Sequence, residues 1–310
     1  LPEIDLDAVD LSTTFFSRRL SAPLLVSSMT GGPEKAEALN QHIAEACGEL
    51  GLSFGVGSQR IALEGHGAAG FGRALRAAAP DVAILANFGA AQLKTWNGAE
   101  MAERAIDMID ADALVIHVNP LQEAVQAGGD TDWSGLLRRI EGVCRASPRP
   151  IIVKEVGAGI SGRIARSLVD AGVQGIDVAG LGGTNWAVVE AARAQSPDQR
   201  AIGEAFHDWG IPTAEAITAV RHACPDTQVV GSGGVRDGVD AAKALRLGAD
   251  VAGFAGSVLE SAVDSTEAMI GQLQAIVAQL RIACFCTGSR NIKELRCAPL
   301  LSGPPSPGAM

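Results

Sequence analysis

The stretch Ala113-Leu114-Val115-Ile116-His117 decides the fold: four consecutive apolar residues closed by a histidine, with the turn signal Asn119-Pro120 just behind. A strand that is apolar at every position buries both faces, as parallel strands do when helices cover their outer side. Seven further runs have this form: Pro23–Ser27, Leu52–Val56, Val82–Asn87, Ile151–Lys154, Gly175–Val178, Gln228–Ser232 and Asp250–Gly253. Helix-period segments lie between them. Leu39, Ile43, Ala46 and Leu50 share one helical face, as do Met269, Leu273, Ile276 and Leu280. Asp237 and Asp240 stand before Ala242 and Leu245, where carboxylates favour a helix N-terminus. Eight strands alternating with helices over roughly 250 residues predict a closed (β/α)8 TIM barrel, with an open doubly wound sheet as the rival. The long interval between the sixth and seventh runs predicts extra helical material ending at Trp209-Gly210-Ile211-Pro212. One barrel domain is expected over residues 1–300. A disordered tail is expected over 301–310, where Ser302 to Met310 is rich in Pro, Gly and Ser.

Composition narrows the function. The chain has 310 residues, 47% of them hydrophobic, enough for one large core. Its formal net charge is −10 and it has no run of Lys or Arg, which argues against a phosphate-tracking surface for nucleic acid. A bound anion must then be held by a few placed cations and backbone N–H groups. The six cysteines are scattered, and the Cys284/Cys286 spacing fits neither a zinc site nor a CxxC pair. They are expected to be mostly buried thiols in a reducing cytoplasm. No apolar run is expected to be long enough for a membrane span, and no basic-then-apolar signal opens the chain.

Active sites of such barrels form at the C-terminal ends of the strands. Here those ends carry Ser28-Met29-Thr30-Gly31-Gly32, Gly57-Ser58-Gln59-Arg60, Asn87, His117-Val118-Asn119, Lys154-Glu155, Gly182-Gly183-Thr184, Ser232-Gly233-Gly234 and Ala255-Gly256-Ser257. Turns are polar in any protein, which accounts for single glycines. It accounts poorly for an Asn, a His and a Lys closing apolar strands. Two glycine turns after the last two strands suit a phosphate-bearing cofactor, because glycine lets backbone N–H groups approach an anion. Lys154 can pair with an anionic cofactor, act as an acid or base, form a Schiff base, or simply snorkel to solvent. Pro120 makes His117 to Glu123 a loop with a helix start behind it. Glu123 alone cannot cage a metal, but one carboxylate plus phosphate oxygens and water can hold Mg²⁺. The plainer alternatives are a hydrogen-bonded core histidine at His117 and a first-turn carboxylate at Glu123.

At these motifs the chain resembles the type 2 isopentenyl-diphosphate isomerases, which are FMN-dependent. The matching stretches are Met29-Thr30-Gly31-Gly32, Gly57 to Arg60, His117 to Glu123, Val153-Lys154-Glu155-Val156-Gly157, Gly182 to Trp186, Trp209 to Thr213, Ser232-Gly233-Gly234 and Ala255-Gly256. The His-x-Asn-x-x-Gln-Glu loop discriminates; the glycine turns are shared with other flavin barrels. The resemblance spans about Leu6 to Arg296. It implies that Ser28, Met29, Thr30, Ser58, Asn87, Lys154 and Thr184 contact the flavin. Gly233, Gly234, Val235, Ala255 and Gly256 would hold its phosphate. Ser58, Gln59, Arg60 and Gln122 would bind substrate. Glu123 would ligate Mg²⁺ bridging to the diphosphate, with His117 and Asn119 supporting that end. Gln122, His117, Asn119 and Lys154 form the implied catalytic set.

The implied reaction interconverts isopentenyl and dimethylallyl diphosphate, with reduced FMN as the acid–base agent and no net redox change. NADPH would only reduce the flavin, and Trp186 could wall an apolar pocket. A cytoplasmic homo-oligomer, with neither membrane nor nucleic acid as partner, completes the expectation. The family also carries a basic Arg-Lys-x-x-His segment near its N-terminus that grips the diphosphate. The chain starts at Leu1 without it, and Arg18 and Arg19 do not match it. Each charge-assisted bond is worth about 1.5–3 kcal/mol, so the chain as given is expected to keep flavin better than substrate. Two alternatives stand. One is an FMN oxidoreductase of the 2-hydroxy-acid oxidase or glutamate synthase type, which needs a late His and Arg pair, whereas Arg236 has no accompanying His. The other is a flavin-binding barrel that has lost catalysis.

Overall fold

A computed structural model describes residues 1–29, 36–67 and 70–300. Thr30, Gly31, Gly32 and the 301–310 tail lie outside the described residues.

Ten short strands are present among the described residues: β1 (Thr13–Phe15), β2 (Arg18–Leu20), β3 (Leu24–Val26), β4 (Ser53–Gly55), β5 (Ile84–Gly89), β6 (Ala113–His117), β7 (Ile151–Lys154), β8 (Gly175–Asp177), β9 (Gln228–Gly231) and β10 (Val251–Phe254). The last eight form a closed parallel barrel in sequence order, with β10 pairing back onto β3. Helices connect them and cover the outside, so the strands can be apolar on both faces: β3, β5 and β10 are buried at every position. The core between strands and helices carries Phe54, Phe88 and Phe254, each contributing about 1.5–3 kcal/mol when fully withdrawn from water.

Six of the eight barrel strands, all but β6 and β7, depart from the sequence expectation by one or two residues at an end. The largest shift is in β5, which continues past Asn87 because Phe88 and Gly89 pair with Ile116 and His117. The Asn87 side chain satisfies its polar groups inside the protein, so it does not end the strand. Three helices, Trp186–Arg193, Pro197–Glu204 and Thr213–Ala223, fill the long β8–β9 interval as expected. Asp237 caps its helix by accepting from the Val239 and Asp240 N–H groups, at 3.0 and 2.8 Å.

The β1–β2 hairpin was not foreseen. It turns on Phe16 and Ser17, both at positive φ (42° and 67°), and carries Phe15 and Leu20 fully buried. Phe16 packs against Gly175 at the first residue of β8, so the hairpin sits at the N-terminal end of the barrel. The opposite end carries the polar strand termini.

Two expectations need correction. The helix Thr266–Cys286 is long and apolar enough, at mean hydropathy 1.4, to pass for a membrane span by composition alone. Its buried residues Met269, Leu273, Ile276, Leu280 and Cys284 fall at helical spacing against the barrel's other helices, while apolar side chains elsewhere on it, Ile282 among them, stay exposed. Among the cysteines, Cys286 and Cys297 are exposed, while Cys47, Cys224 and Cys284 are buried thiols.

Candidate active site at the barrel mouth

Strand register brings the chemistry together. Gly89 pairs with His117, His117 with Lys154, and Lys154 with Asp177, each at the last residue of its strand. Register partners in parallel strands project on the same side of the sheet. The His117 Nδ1 lies 2.9 Å from the Asn87 Oδ1. Burial, then the charges of Lys154 and Arg60, push the His117 imidazole down to about 4, so it is neutral at working pH. Asp177 is 2% exposed and lies beside Lys154. Burial raises its pKa, and the Lys154 charge, the Ser232 hydroxyl and the Ala179 N–H oppose that rise. Ser232 Oγ donates to Asp177 Oδ1 and accepts from the Ala179 N–H at 3.2 Å. Asn87, His117, Lys154, Asp177 and Ser232 therefore form one connected rim.

The loop after β6 adds a second cluster. Pro120 opens the helix Pro120–Val125 at its first position, where a missing N–H costs nothing. Asn119 Nδ2 donates to Gln122 Oε1 (3.1 Å) and Glu123 Oε1 (2.9 Å). Gln122 Nε2 donates to Glu190 Oε1 at 2.9 Å, and Glu123 Oε2 accepts from the Asp130 N–H at 2.8 Å. Gln122 lines a cleft with Leu121, Glu155, Val156, Trp186 and Trp209. The buried Glu155 Oε2 accepts from the N–H groups of Val156, Gly157 and Ala158 and so shapes the floor of this cleft. Desolvation raises the Glu155 pKa above its ordinary value.

The glycine turns after β8 and β9 pack backbone to backbone. A Cβ on Gly233 would stand 2.2 Å from Gly180 O, and one on Gly234 would stand 2.1 Å from Gly182 O. Gly233 and Gly234 hold φ of 105° and 77°, which favours glycine. Thr213 Oγ1 donates to Gly233 O at 2.6 Å, and Ser257 Oγ donates to Val235 O at 2.9 Å, tying this turn to the one after β10. The N–H groups of Gly233, Gly234, Val235, Gly256 and Ser257 donate to no acceptor among the described residues. Among the described residues only Thr184 Oγ1, at 3.8 Å, comes near the Cβ position of Gly256. A pair of turns with free N–H groups, next to the start of the helix Gly256–Asp264, fits a phosphate and hence the phosphate of FMN.

The metal expectation meets a different donor set. Among the described residues no group of three or more His, Cys, Asp or Glu can hold an ion. Glu123 is a single carboxylate, with each oxygen already accepting one hydrogen bond. That suits a cation arriving with a polyphosphate, not a resident metal.

Among the expected site residues that are described, Gln59 is the one placed away from the mouth. Gln59, expected at the substrate, is fully buried and reaches out to the helix layer. Its Nε2 donates to Ala105 O (3.0 Å) and its Oε1 accepts from the Asn87 N–H (2.9 Å). Arg60 is exposed and near enough to His117 to affect its charge. Ser28, Met29 and Ser58 are half-buried, and Thr184 is exposed at the mouth. Asp177 and Glu190 were not singled out, and Trp209 entered only as the first residue of the stretch Trp209 to Thr213, with no role given to it. A lone carboxylate inside the apolar run Gly175-Ile176-Asp177-Val178 was the available signal for Asp177. Glu190 gave none, being a mid-helix residue 68 positions from its partner Gln122.

Residues 84–300 match the family profile described as FMN-dependent dehydrogenase. An isopentenyl-diphosphate delta-isomerase of Stutzerimonas stutzeri (strain A1501) is 58% identical over 301 residues, 97% of this chain and 87% of that protein. Proteins of the same name from Xanthobacter autotrophicus (strain ATCC BAA-1158 / Py2) and a Nostoc species (strain PCC 7120) are 56% and 50% identical. They are covered over 87% and 84% of their lengths, with 97% and 96% of this chain. Among solved structures, a mandelate oxidase variant with a monooxide FMN adduct superposes at TM-score 0.68 and 18% identity, covering 98% of this chain and 87% of that one. At that identity it shows the barrel fold alone.

Proposed function

Because the chain belongs to the isopentenyl-diphosphate delta-isomerases of the FMN-dependent dehydrogenase family, we propose that it interconverts isopentenyl and dimethylallyl diphosphate. The carrying observation is the match over 97% of the chain at 58% identity, with the His-x-Asn-x-x-Gln-Glu loop arranged around the barrel mouth. Reduced FMN, when bound, supplies the acid–base chemistry of the double-bond shift without net redox change.

The protein's own residues bind, orient and exclude water. The free N–H groups of Gly233 to Val235 and of Gly256 and Ser257 hold the flavin phosphate. Lys154, half-buried between His117 and Asp177, places a cation at the flavin end of the rim. Ser28, Met29, Thr30, Ser58, Asn87 and Thr184 complete the flavin contacts. Gln122, oriented by Asn119 and Glu190, faces the cleft where Leu121, Trp186 and Trp209 offer apolar cover for a five-carbon chain. Arg60, with Ser58, meets the diphosphate. Glu123 holds a Mg²⁺ that the diphosphate brings with it. NADPH from the cytoplasm keeps the flavin reduced, and the chain works as a homo-oligomer.

The test is anaerobic turnover of isopentenyl diphosphate by the FMN-loaded protein with Mg²⁺ and NADPH. Dimethylallyl diphosphate should form, and Gln122→Ala should lower kcat by about a hundredfold, within the usual range for a group acting on the reacting atoms. A yellow protein that forms no product, but makes peroxide from a 2-hydroxy acid in air, would overturn the proposal.

A further inference from the structure

Gln59 bears on the neighbouring histidine. Its side chain is fully buried, and its two amide atoms are both committed: Nε2 to Ala105 O and Oε1 to the Asn87 backbone N–H. The Gln59 N–H in turn donates to Asn87 O at 2.8 Å, so the two residues hold each other at two points. Asn87 is thereby fixed in place, and its own amide can point only one way. Asn87 Nδ2 lies 3.2 Å from Val56 O, a contact that requires the NH₂ group there. The atom facing His117 Nδ1 is therefore the carbonyl Oδ1, which can only accept. It follows that Nδ1 carries the proton and that Nε2 of the neutral ring is bare.

Nε2 is also open. It has no hydrogen-bond partner among the described residues, yet it is absent from the sealed, unpartnered atoms, which are Ser27 Oγ, Gln228 Oε1 and Arg296 Nε. Gly89 leaves room beside it: a Cβ there would stand 2.9 Å from Nε2 and 2.3 Å from Gln92 Oε1.

We propose that Gln59 is a positioning residue which, through Asn87, locks His117 as the Nδ1–H tautomer and so presents Nε2 at the mouth as an acceptor for an N–H donor of the bound flavin. This deepens the function proposed above. It also changes the expected part of His117: a neutral acceptor beside Lys154 and Arg60 does not grip a diphosphate. Gln59, in turn, acts on the site without touching substrate.

The test is ¹H–¹⁵N correlation of the imidazole nitrogens in histidine-labelled protein, with the His117 signal assigned by its loss in His117→Gln. The native protein should show protonated Nδ1 and unprotonated Nε2 at neutral pH, and adding FMN should shift Nε2 alone. A native ring protonated at Nε2, or on both nitrogens, overturns the proposal, and this spectrum needs no variant that could misfold. In Gln59→Met the ring should become a mixture of tautomers. Its kcat should fall by about tenfold with KM nearly unchanged, the pattern of a lost transition-state contact. An unaltered tautomer in Gln59→Met removes Gln59 from the mechanism. The spectra are read without turnover, so absence of isomerase activity would count against the proposed function and leave the tautomer decided separately.

Discussion

Replacing Gly234 with alanine tests the phosphate cradle most directly. The new Cβ would stand 2.1 Å from Gly182 O and 2.3 Å from Gly182 C, backbone atoms that cannot swing aside, and φ at this position is +77°. The left-handed conformation costs a residue with a Cβ about 1–2 kcal/mol. Forcing a carbon into packed backbone adds about 1–3 kcal/mol. Gly135 supplies the control: its φ is +71° and a Cβ there meets nothing within 4 Å among the described residues, so only the first cost applies. For a chain of this size about 2 °C of melting temperature accompanies each kcal/mol. Gly135→Ala should therefore melt about 2–4 °C low, and Gly234→Ala about 4–10 °C low. The clash also displaces N–H groups meant for the phosphate. Losing one charge-assisted bond, about 1.5–3 kcal/mol, weakens FMN binding by about ten- to a hundredfold, measurable by flavin fluorescence quenching. If Gly234→Ala melts with Gly135→Ala and binds FMN as the native protein does, the two-turn cradle is not where the phosphate sits.

Two further outcomes follow from the charged rim. Lys154→Met leaves Asp177 buried without its neighbouring cation, so stability at neutral pH and FMN affinity should both fall; adding Asp177→Asn should restore stability but not affinity, and a double variant no more stable than the single one would remove the pairing. The His117 pKa is depressed from its ordinary value to about 4, so the stability it contributes is present above about pH 6.5. That stability is lost as pH falls from there towards 4, because the unfolded ring takes up a proton first; its ceiling is about 3 kcal/mol, reduced by solvent around a half-buried ring. Denaturant titrations at pH 7 and 4.5 should show a smaller pH-dependent loss in His117→Gln than in the native protein.

The barrel was legible because fully covered parallel strands must be apolar throughout, and runs such as Ala113–His117 and Ile151–Lys154 coincide with β6 and β7 residue for residue. The β1–β2 hairpin was not legible: its strands are three residues long and its turn uses Phe16 and Ser17, not glycine or asparagine. Polar strand ends indicated the mouth, but a list of residues cannot tell which way each side chain reaches. Gln59 follows a strand, as Lys154 ends one, yet it reaches into the helix layer to Ala105. Asp177 was passed over because a single carboxylate in an apolar run reads as strand; its reason for being there, the Lys154 next to it in register, exists only once the sheet is closed.

The interlocked turns after β8 and β9 have a mechanical consequence. With Gly180 and Gly182 seated against Gly233 and Gly234 and the Thr213 hydroxyl pinned to Gly233 O beside them, neither segment can slide without carrying the other. One of them leads straight into Trp186 and the apolar cleft; the other carries the free N–H groups of Gly233 to Val235. A displacement of either turn is thus handed to the other through main chain, so the cleft wall near Trp186 and the free N–H groups of Gly233 to Val235 move as one piece.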